Sequence, residues 1–155
     1  MNTAVRALAL ATIAVLVAGC GRAGEDRPPR AEGGTPAVPA TSTTTVKVAL
    51  ENFAITAEPG QAAAGTVTFD LTATGLHHNF IVIKTELAPE DLPLRSAAGP
   101  AITDKPGVTE VIGLVPIPFL GDKELTVEAA PGSYVLICNA EAHYVRGMRT
   151  SFTVA

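Results

Sequence analysis

Residues that bind soft metals are concentrated in one short segment near the C-terminus. Four residues separate Cys138 from His143, and another four separate His143 from Met148. The chain has three histidines, and the other two, His77 and His78, are adjacent and lie far upstream. One thiolate, two imidazoles and one weak thioether are the donors of a mononuclear blue-copper centre. These residue types and their spacing therefore predict a copper site formed by this segment and an upstream histidine.

The N-terminus carries the pattern of an exported protein. Residues 1–19 hold one charged side chain, Arg6, and then an apolar run over residues 7–18. The run is short for a membrane-spanning helix and is typical of a signal peptide. It ends in Val-Ala-Gly before Cys20, which resembles a bacterial lipobox, where the cysteine receives a lipid. The alternatives are a plain signal peptide cleaved near Ala18 and an uncleaved anchor. All three place the rest of the chain outside the cytoplasm.

The cysteine count supports a functional thiol. Cys20 and Cys138 are the only cysteines of the chain. If Cys20 is lipidated, Cys138 has no disulfide partner, and a single thiol in an exported protein needs an explanation. It is either a buried, inert residue that packs like a small hydrophobe or a metal-bound thiolate.

Two segments follow the signal peptide. Residues 20–43 comprise the lipidated cysteine and a linker rich in proline, glycine, serine and threonine, without apolar periodicity. Such a composition cannot bury enough apolar surface to offset the entropy of ordering, so we expect a disordered spacer. Residues 44–155 are long enough for one domain with one core. They carry seven Lys and Arg against twelve Asp and Glu, which argues against nucleic acid as a partner.

Most of the domain shows the two-residue period of β-strands. Apolar residues alternate with polar ones in several short runs, which end at Gly and Pro signals. The residues that define these runs are Val46, Val48, Leu50, Phe53, Ile55, Val67, Phe69, Leu71, His78 to Ile83, Leu125, Val127, Tyr134 to Cys138, Phe152 and Val154. Such a series predicts an all-β sandwich of about seven or eight strands. Residues 85–123 are harder to interpret: a helical turn near Pro89 to Leu92 fits, and residues 108–119 suit either a strand or an apolar loop.

The C-terminal third of the chain resembles the cupredoxins, the small blue-copper proteins. Between Leu125 and Val154 it has a Pro-Gly turn, a strand with a tyrosine, Cys-Asn, a histidine, Gly-Met and a last strand. The segment His78-Asn79-Phe80 resembles the upstream ligand strand of that family. The loop spacing is similar to that of the rusticyanin-like and sulfocyanin-like members. The resemblance implies a Greek-key β-sandwich with one type 1 copper ion near one end.

The resemblance also implies individual roles. Strand alternation alone does not choose between His77 and His78, because both faces of their strand are apolar. In cupredoxins the ligand commonly precedes an Asn or Asp, so the resemblance favours His78, with Cys138, His143 and Met148 as the remaining ligands. The same resemblance assigns Asn79 to bracing the thiolate. Asn139 either braces it in a similar way or only satisfies a turn.

The leading functional hypothesis is a membrane-tethered electron carrier. It would pass single electrons between redox proteins of a respiratory chain, or to oxidases, on the extracytoplasmic face of the cell membrane or in the periplasm, and would be a monomer. Arg146 and Arg149 flank the ligand loop, and they would either steer an acidic partner or be ordinary solvated charges.

Other functions are less consistent with the residues. A copper enzyme with a second metal site needs several more histidines, and only His77 would be left, so we expect no enzymatic activity. A copper carrier that delivers the metal to an oxidase would use the same ligands, and it is the alternative hypothesis. The intact ligand set argues against a metal-free interaction module.

Overall fold

β-strands make up most of the computed structural model, which describes residues 42–97, 99–118 and 121–155. Nine strands and no helix occur in these ranges. The strands are β1 (Ser42–Glu51), β2 (Ala54–Glu58), β3 (Gln61–Ala62), β4 (Gly65–Ala73), β5 (His78–Lys84), β6 (Glu110–Ile117), β7 (Gly121–Ala129), β8 (Gly132–Ile137) and β9 (Arg149–Val154). Within the same ranges, no helix is long and apolar enough to span a membrane. The predicted signal peptide, Cys20 and the linker up to residue 41 lie outside the described residues.

The strands form two mixed sheets that pack face to face. One sheet has the order β2-β1-β4-β7 and the other β3-β9-β8-β5-β6. β1 and β4 are parallel, as are β3 and β9, and the other pairs are antiparallel. The predicted all-β sandwich is therefore confirmed. It has more strands than the seven or eight predicted, partly because β3 is only two residues long and shows no period.

The main core lies between the sheets and is built by alternation. In β4, Val67, Phe69 and Leu71 are buried, whereas the residues between them face outward or lie at the margin. The ring of Phe69 contacts Phe80 of β5 and Phe152 of β9, with centroids 5.2 and 5.4 Å apart. These aromatic contacts join the two sheets at the centre of the core.

A second, smaller core lies on the outer face of the five-stranded sheet. Residues 85–109 leave the sheet after β5 and return across its outer face; we call this segment the excursion. Its buried Leu92 and Ala101 pack in one cluster with residues of β5 and β8, including Ile81 and Ile137. Because both faces of β5 are covered, its sequence is apolar nearly throughout.

Three boundaries refine the sequence interpretation. β1 begins at Ser42, two residues before the predicted domain start, because Ser42 and Thr43 already pair with β4. The helical turn considered near Pro89 is a single turn, in which the N–H of Asp91 donates to the carbonyl of Ala88 at 2.9 Å. Of the two options for residues 108–119, the strand is found: β6 pairs along β5 from His78 to Lys84.

Candidate metal centre

The thiol of Cys138 is placed by the end of a central strand. Cys138 directly follows β8 and is fully buried. Its N–H donates to the carbonyl of Met148 at 3.0 Å, which holds the start and the end of the ligand loop together. The N–H of Asn79 points at its Sγ, with a distance of 3.4 Å. A thiolate at this position would therefore be partly stabilised by a main-chain donor from the neighbouring strand.

The first residue of β5 brings an imidazole to the same point. His78 is buried, and its Nδ1 lies 3.8 Å from Sγ of Cys138. Its other nitrogen, Nε2, lies 3.0 Å from the carbonyl oxygen of Thr74. Because a carbonyl can only accept, Nε2 must carry the proton, and Nδ1 then has a free lone pair. This second contact fixes both the tautomer and the ring orientation that a metal ligand needs.

The loop after Cys138 folds back through consecutive turns. His143 donates its N–H to the carbonyl of Ala140, and Met148 donates its N–H to the carbonyl of His143, both at 3.0 Å. Gly147 has a φ of 109°, a conformation that is strongly unfavourable for residues with a side chain. As a result Nδ1 of His143 lies 3.4 Å from Sγ of Cys138, and Met148 returns fully buried beside the same cluster.

These placements bring the predicted ligands together. The ligand atoms of His78, Cys138 and His143 all lie within 4.8 Å of one another, and all three residues are buried. His77 is exposed and stands outside this group, with its ring centroid 6.0 Å from that of His143. Metal–nitrogen and metal–sulfur bonds of about 2.0–2.3 Å allow two ligands of one ion to be at most about 4.5 Å apart. The two sulfur–nitrogen distances, 3.4 and 3.8 Å, meet that limit, and small shifts of the side chains would let one soft-metal ion bind all three residues.

Without a metal, the local environment disfavours charge on Cys138 and His143. Burial raises the pKa of the Cys138 thiol, while N–H groups of Asn79 and Ala140 act in the opposite direction. Burial also lowers the pKa of His143, and neighbouring basic groups, His78 first among them, lower it further. At neutral pH the imidazole is thus in the neutral form that binds metals, whereas the thiol must lose a proton when a metal binds.

Two asparagines connect the site to its surroundings. The side-chain oxygen of Asn79 accepts the N–H of Asn139 at 2.6 Å, so both ligand segments are joined beside the thiol. The side chain of Asn139 pairs with the main chain of Ala101 in the excursion: it accepts the N–H at 2.8 Å and donates to the carbonyl at 2.9 Å. The amide of Asn139 thus joins the ligand loop to the excursion, a segment that the sequence left uninterpreted.

Residues around the loop take roles that the sequence did not indicate. Phe53, expected in a strand, lies in the turn between β1 and β2, and its ring contacts the ring of His143. The guanidinium of Arg146 lies over the Phe53 ring at 3.6 Å. Arg149 donates to the carbonyl of Tyr144 at 2.7 Å. Both arginines therefore make specific contacts within the domain, and Arg146 remains exposed to solvent.

Solved structures share this fold. The chain is 30% identical to a reduced auracyanin from the photosynthetic bacterium Roseiflexus castenholzii, over 74% of this chain and 98% of that one, with a TM-score of 0.48. Auracyanin A of Chloroflexus aurantiacus, described as a blue copper protein, is 23% identical over 74% of this chain and all of its own, with a TM-score of 0.52. Rusticyanin from Thiobacillus ferrooxidans is 16% identical over 73% of this chain and 77% of its own, with a TM-score of 0.54. No family model matches the chain, and no curated protein does.

Sandwich fold and site together define the class of the protein. A two-sheet sandwich that gathers a cysteine and two histidines at one end, with a buried methionine closing the loop, is a small soft-metal protein. Auracyanin A and rusticyanin have the same fold, and the gathered residues are those of the cupredoxin motifs. The chain belongs to the cupredoxins, as its sequence motifs predict.

Proposed function

We propose that this protein is an electron carrier that holds one type 1 copper ion with His78, Cys138, His143 and Met148. The observation that carries the proposal is the position of Sγ of Cys138, which is buried with two imidazole Nδ1 atoms at 3.4 and 3.8 Å. Copper bound by such a set supplies reversible one-electron chemistry, with a potential tuned by the weak thioether and the surrounding apolar residues. The blue copper protein auracyanin A has the same fold.

The chain contributes rigidity to that chemistry. Cys138 and His78 stand at the ends of paired strands, and the ring of His78 is held by the Thr74 carbonyl. The N–H of Asn79 faces the sulfur and would stabilise its negative charge. Because these donors are held before a metal arrives, little rearrangement is needed when the charge of the site changes. Small rearrangement favours fast electron transfer.

The histidine content supports a carrier over an enzyme. His77 is the one histidine outside the proposed ligand set, and a second catalytic copper site would need several. The four proposed ligands also leave no evident position for a substrate.

The tether and the location are proposed from the sequence. Cys20 and its preceding apolar run support a lipid anchor on the extracytoplasmic face of a membrane. A linker up to the start of β1 would let the domain reach membrane-bound redox proteins, which are the proposed partners, with the protein acting as a monomer.

Copper(II) titration of the purified protein tests the proposal. We expect an intense blue absorption from thiolate-to-copper charge transfer and reversible one-electron cycling. Cys138→Ser should abolish the colour. His78→Ala should abolish it as well, while the matched variant His77→Ala should retain it and shift only the potential. A colourless wild-type protein, or a blue Cys138→Ser variant, would refute the site.

A separate measurement distinguishes the copper-delivery alternative. It is the rate at which reduced protein loses copper(I) to a strong chelator. An electron carrier should retain the metal over many redox cycles. Loss within the time of a few cycles would instead support delivery of copper to an oxidase.

A further inference from the structure

Phe53 occupies an unusual conformation close to the metal centre. It lies in the short turn between β1 and β2, in the sheet that does not carry the histidine and cysteine ligands. Its φ is 66°, in the left-handed region that bulky residues rarely adopt. A bulky residue remains in that conformation only where its surroundings hold it there. The contacts of its ring are therefore informative.

Two residues of the ligand loop enclose the Phe53 ring. The ring of His143 meets it in a T-shaped arrangement, with centroids 5.2 Å apart and planes at 78°. The guanidinium of Arg146 lies 3.6 Å from the ring centroid. A turn in which Arg146 donates its N–H to the carbonyl of Ala142 at 3.1 Å brings these two side chains to the same ring. We call the three side chains of His143, Phe53 and Arg146 the clasp.

Among the residues that the structure describes, Arg146 has no carboxylate partner that would explain its position otherwise. In the part of the chain that the structure describes, the salt bridge found joins Arg95 and Asp104. Arg146 is exposed, yet its guanidinium lies over the aromatic face, where the ring quadrupole attracts a cation. The contact thus links the loop to the other sheet through Phe53.

The three buried donors differ in how they are held. Cys138 and His78 adjoin strands of one sheet, and Thr74 fixes the ring of His78. His143 stands in the loop, and its ring is contacted by Phe53 from the opposite sheet and by the ring of His78, with centroids 5.2 and 5.1 Å away. We infer that the clasp positions the His143 ring in the metal-free protein and slows the loss of bound metal. Phe53 and Arg146 are then positioning residues of the copper site. This inference rests on the proposed function.

The known strengths of such contacts set the expected size of the effect when they are removed. An exposed cation–π contact corresponds to a factor of about 2 to 5 in an equilibrium or rate, and the same contact together with an aromatic pair to a factor of about 5 to 70. Arg146 contacts Phe53, which in turn contacts the ring of His143. The two residues should therefore not act additively, because both single changes disrupt the same arrangement.

Three variants of the full protein test the clasp. Arg146→Met keeps the apolar stem and removes the charge, Phe53→Leu removes the ring, and the double variant combines them. Lys123→Gln is the matched control, since it removes one exposed positive charge from β7, away from the clasp. Arg146→Met leaves Phe53 in place and tests the idea even if Phe53→Leu folds poorly.

The first readout uses the metal-free protein. Nuclear magnetic resonance should show that the His143 ring protons lose the ring-current shift caused by Phe53 in both single variants. The amide of Met148, which is bonded to the His143 carbonyl, should exchange with solvent about 2 to 5 times faster in Arg146→Met and about 5 to 70 times faster in Phe53→Leu. The control variant should match the wild type. An unchanged His143 signal and unchanged Met148 exchange in Arg146→Met would overturn the inference.

The second readout is the release of copper(I) to a strong chelator. Arg146→Met should lose the metal about 2 to 5 times faster than wild type and Phe53→Leu about 5 to 70 times faster, and the double variant should be no faster than Phe53→Leu. If Arg146→Met loses copper(I) at the same rate as Lys123→Gln, the inference about the clasp is refuted. If the wild-type protein forms no blue species, the proposed function fails, and the metal-free measurements still decide whether the clasp positions His143.

Discussion

Removing the side chain of Asn139 should destabilise the metal-free protein without destroying its metal centre. The Asn139 amide makes two hydrogen bonds to the main chain of Ala101, at 2.8 and 2.9 Å. Ala101 is buried, with 2% of its surface exposed. In Asn139→Ala, the N–H and the carbonyl of Ala101 lose their partners in the folded state.

The expected loss follows from those two groups. A buried polar group left without a partner costs about 1–3 kcal/mol. Asn139 itself is only partly buried, so water can reach the vacated space and the lower part of that range applies. The free energy of unfolding should therefore fall by about 2–4 kcal/mol. Copper binding should persist, because the main-chain N–H of residue 139, which donates to Asn79, is unchanged.

Urea denaturation of the metal-free protein measures this loss, provided that the dependence on urea concentration is unchanged. Asn52→Ala is the matched control, since Asn52 accepts one exposed hydrogen bond from the N–H of Leu76 at 3.1 Å. That variant should lose about 1 kcal/mol or less. The stabilising role of the Asn139 amide would be refuted if the free energy of unfolding fell no further in Asn139→Ala than in Asn52→Ala. Loss of the blue colour with full stability retained would refute it as well.

Two further predictions concern the ligand loop. Because the pKa of His143 is lowered in the folded protein, stability of the metal-free form should be complete above pH about 6.5 and should fall as the pH drops below it. Urea midpoints at pH 7.5 and 5.5 measure this fall. His143→Gln should reduce it more than the exposed His77→Gln does, since His77 is only one of the groups that lower the pKa of His143, so equal falls in both variants would contradict the assignment. Gly147→Ala should cost about 1–3 kcal/mol, because the φ of Gly147 is 109°. Gly60→Ala, where a Cβ would meet its nearest neighbour at 3.9 Å, should be nearly neutral in the same urea denaturation assay. Similar costs at both positions would exclude backbone strain as the cause.

The sequence predicts those features of the fold that depend on local periodicity. Alternation in residues 66–72 and the apolar run of residues 78–83 identify β4 and β5 and the main core. The spacing of Cys138, His143 and Met148 identifies the metal-binding segment because all three lie in one loop. The choice between His77 and His78 was made by family resemblance, and the structure brings His78 into the group.

Other features depend on contacts between distant segments and have no local pattern. Ala101 binds Asn139 through its main chain, and every residue has the same main-chain groups, so no side-chain signal marks it. Phe53 continues an apolar alternation and was expected in a strand, whereas a left-handed turn directs it to His143. The packing of the excursion against β5 and β8 explains why both faces of β5 are apolar. Only the tertiary structure identifies the segment that covers the outer face.

The arrangement of the donors also has a consequence for folding kinetics. Sixty positions separate His78 from Cys138, and the two meet only when β5 has paired with β8. Such long-range pairing forms slowly because a long loop must close first. A complete donor set therefore exists only in molecules that have finished this step, and copper added during refolding would bind those molecules and shift the population towards them. The appearance of the blue colour would then time the closure of the five-stranded sheet.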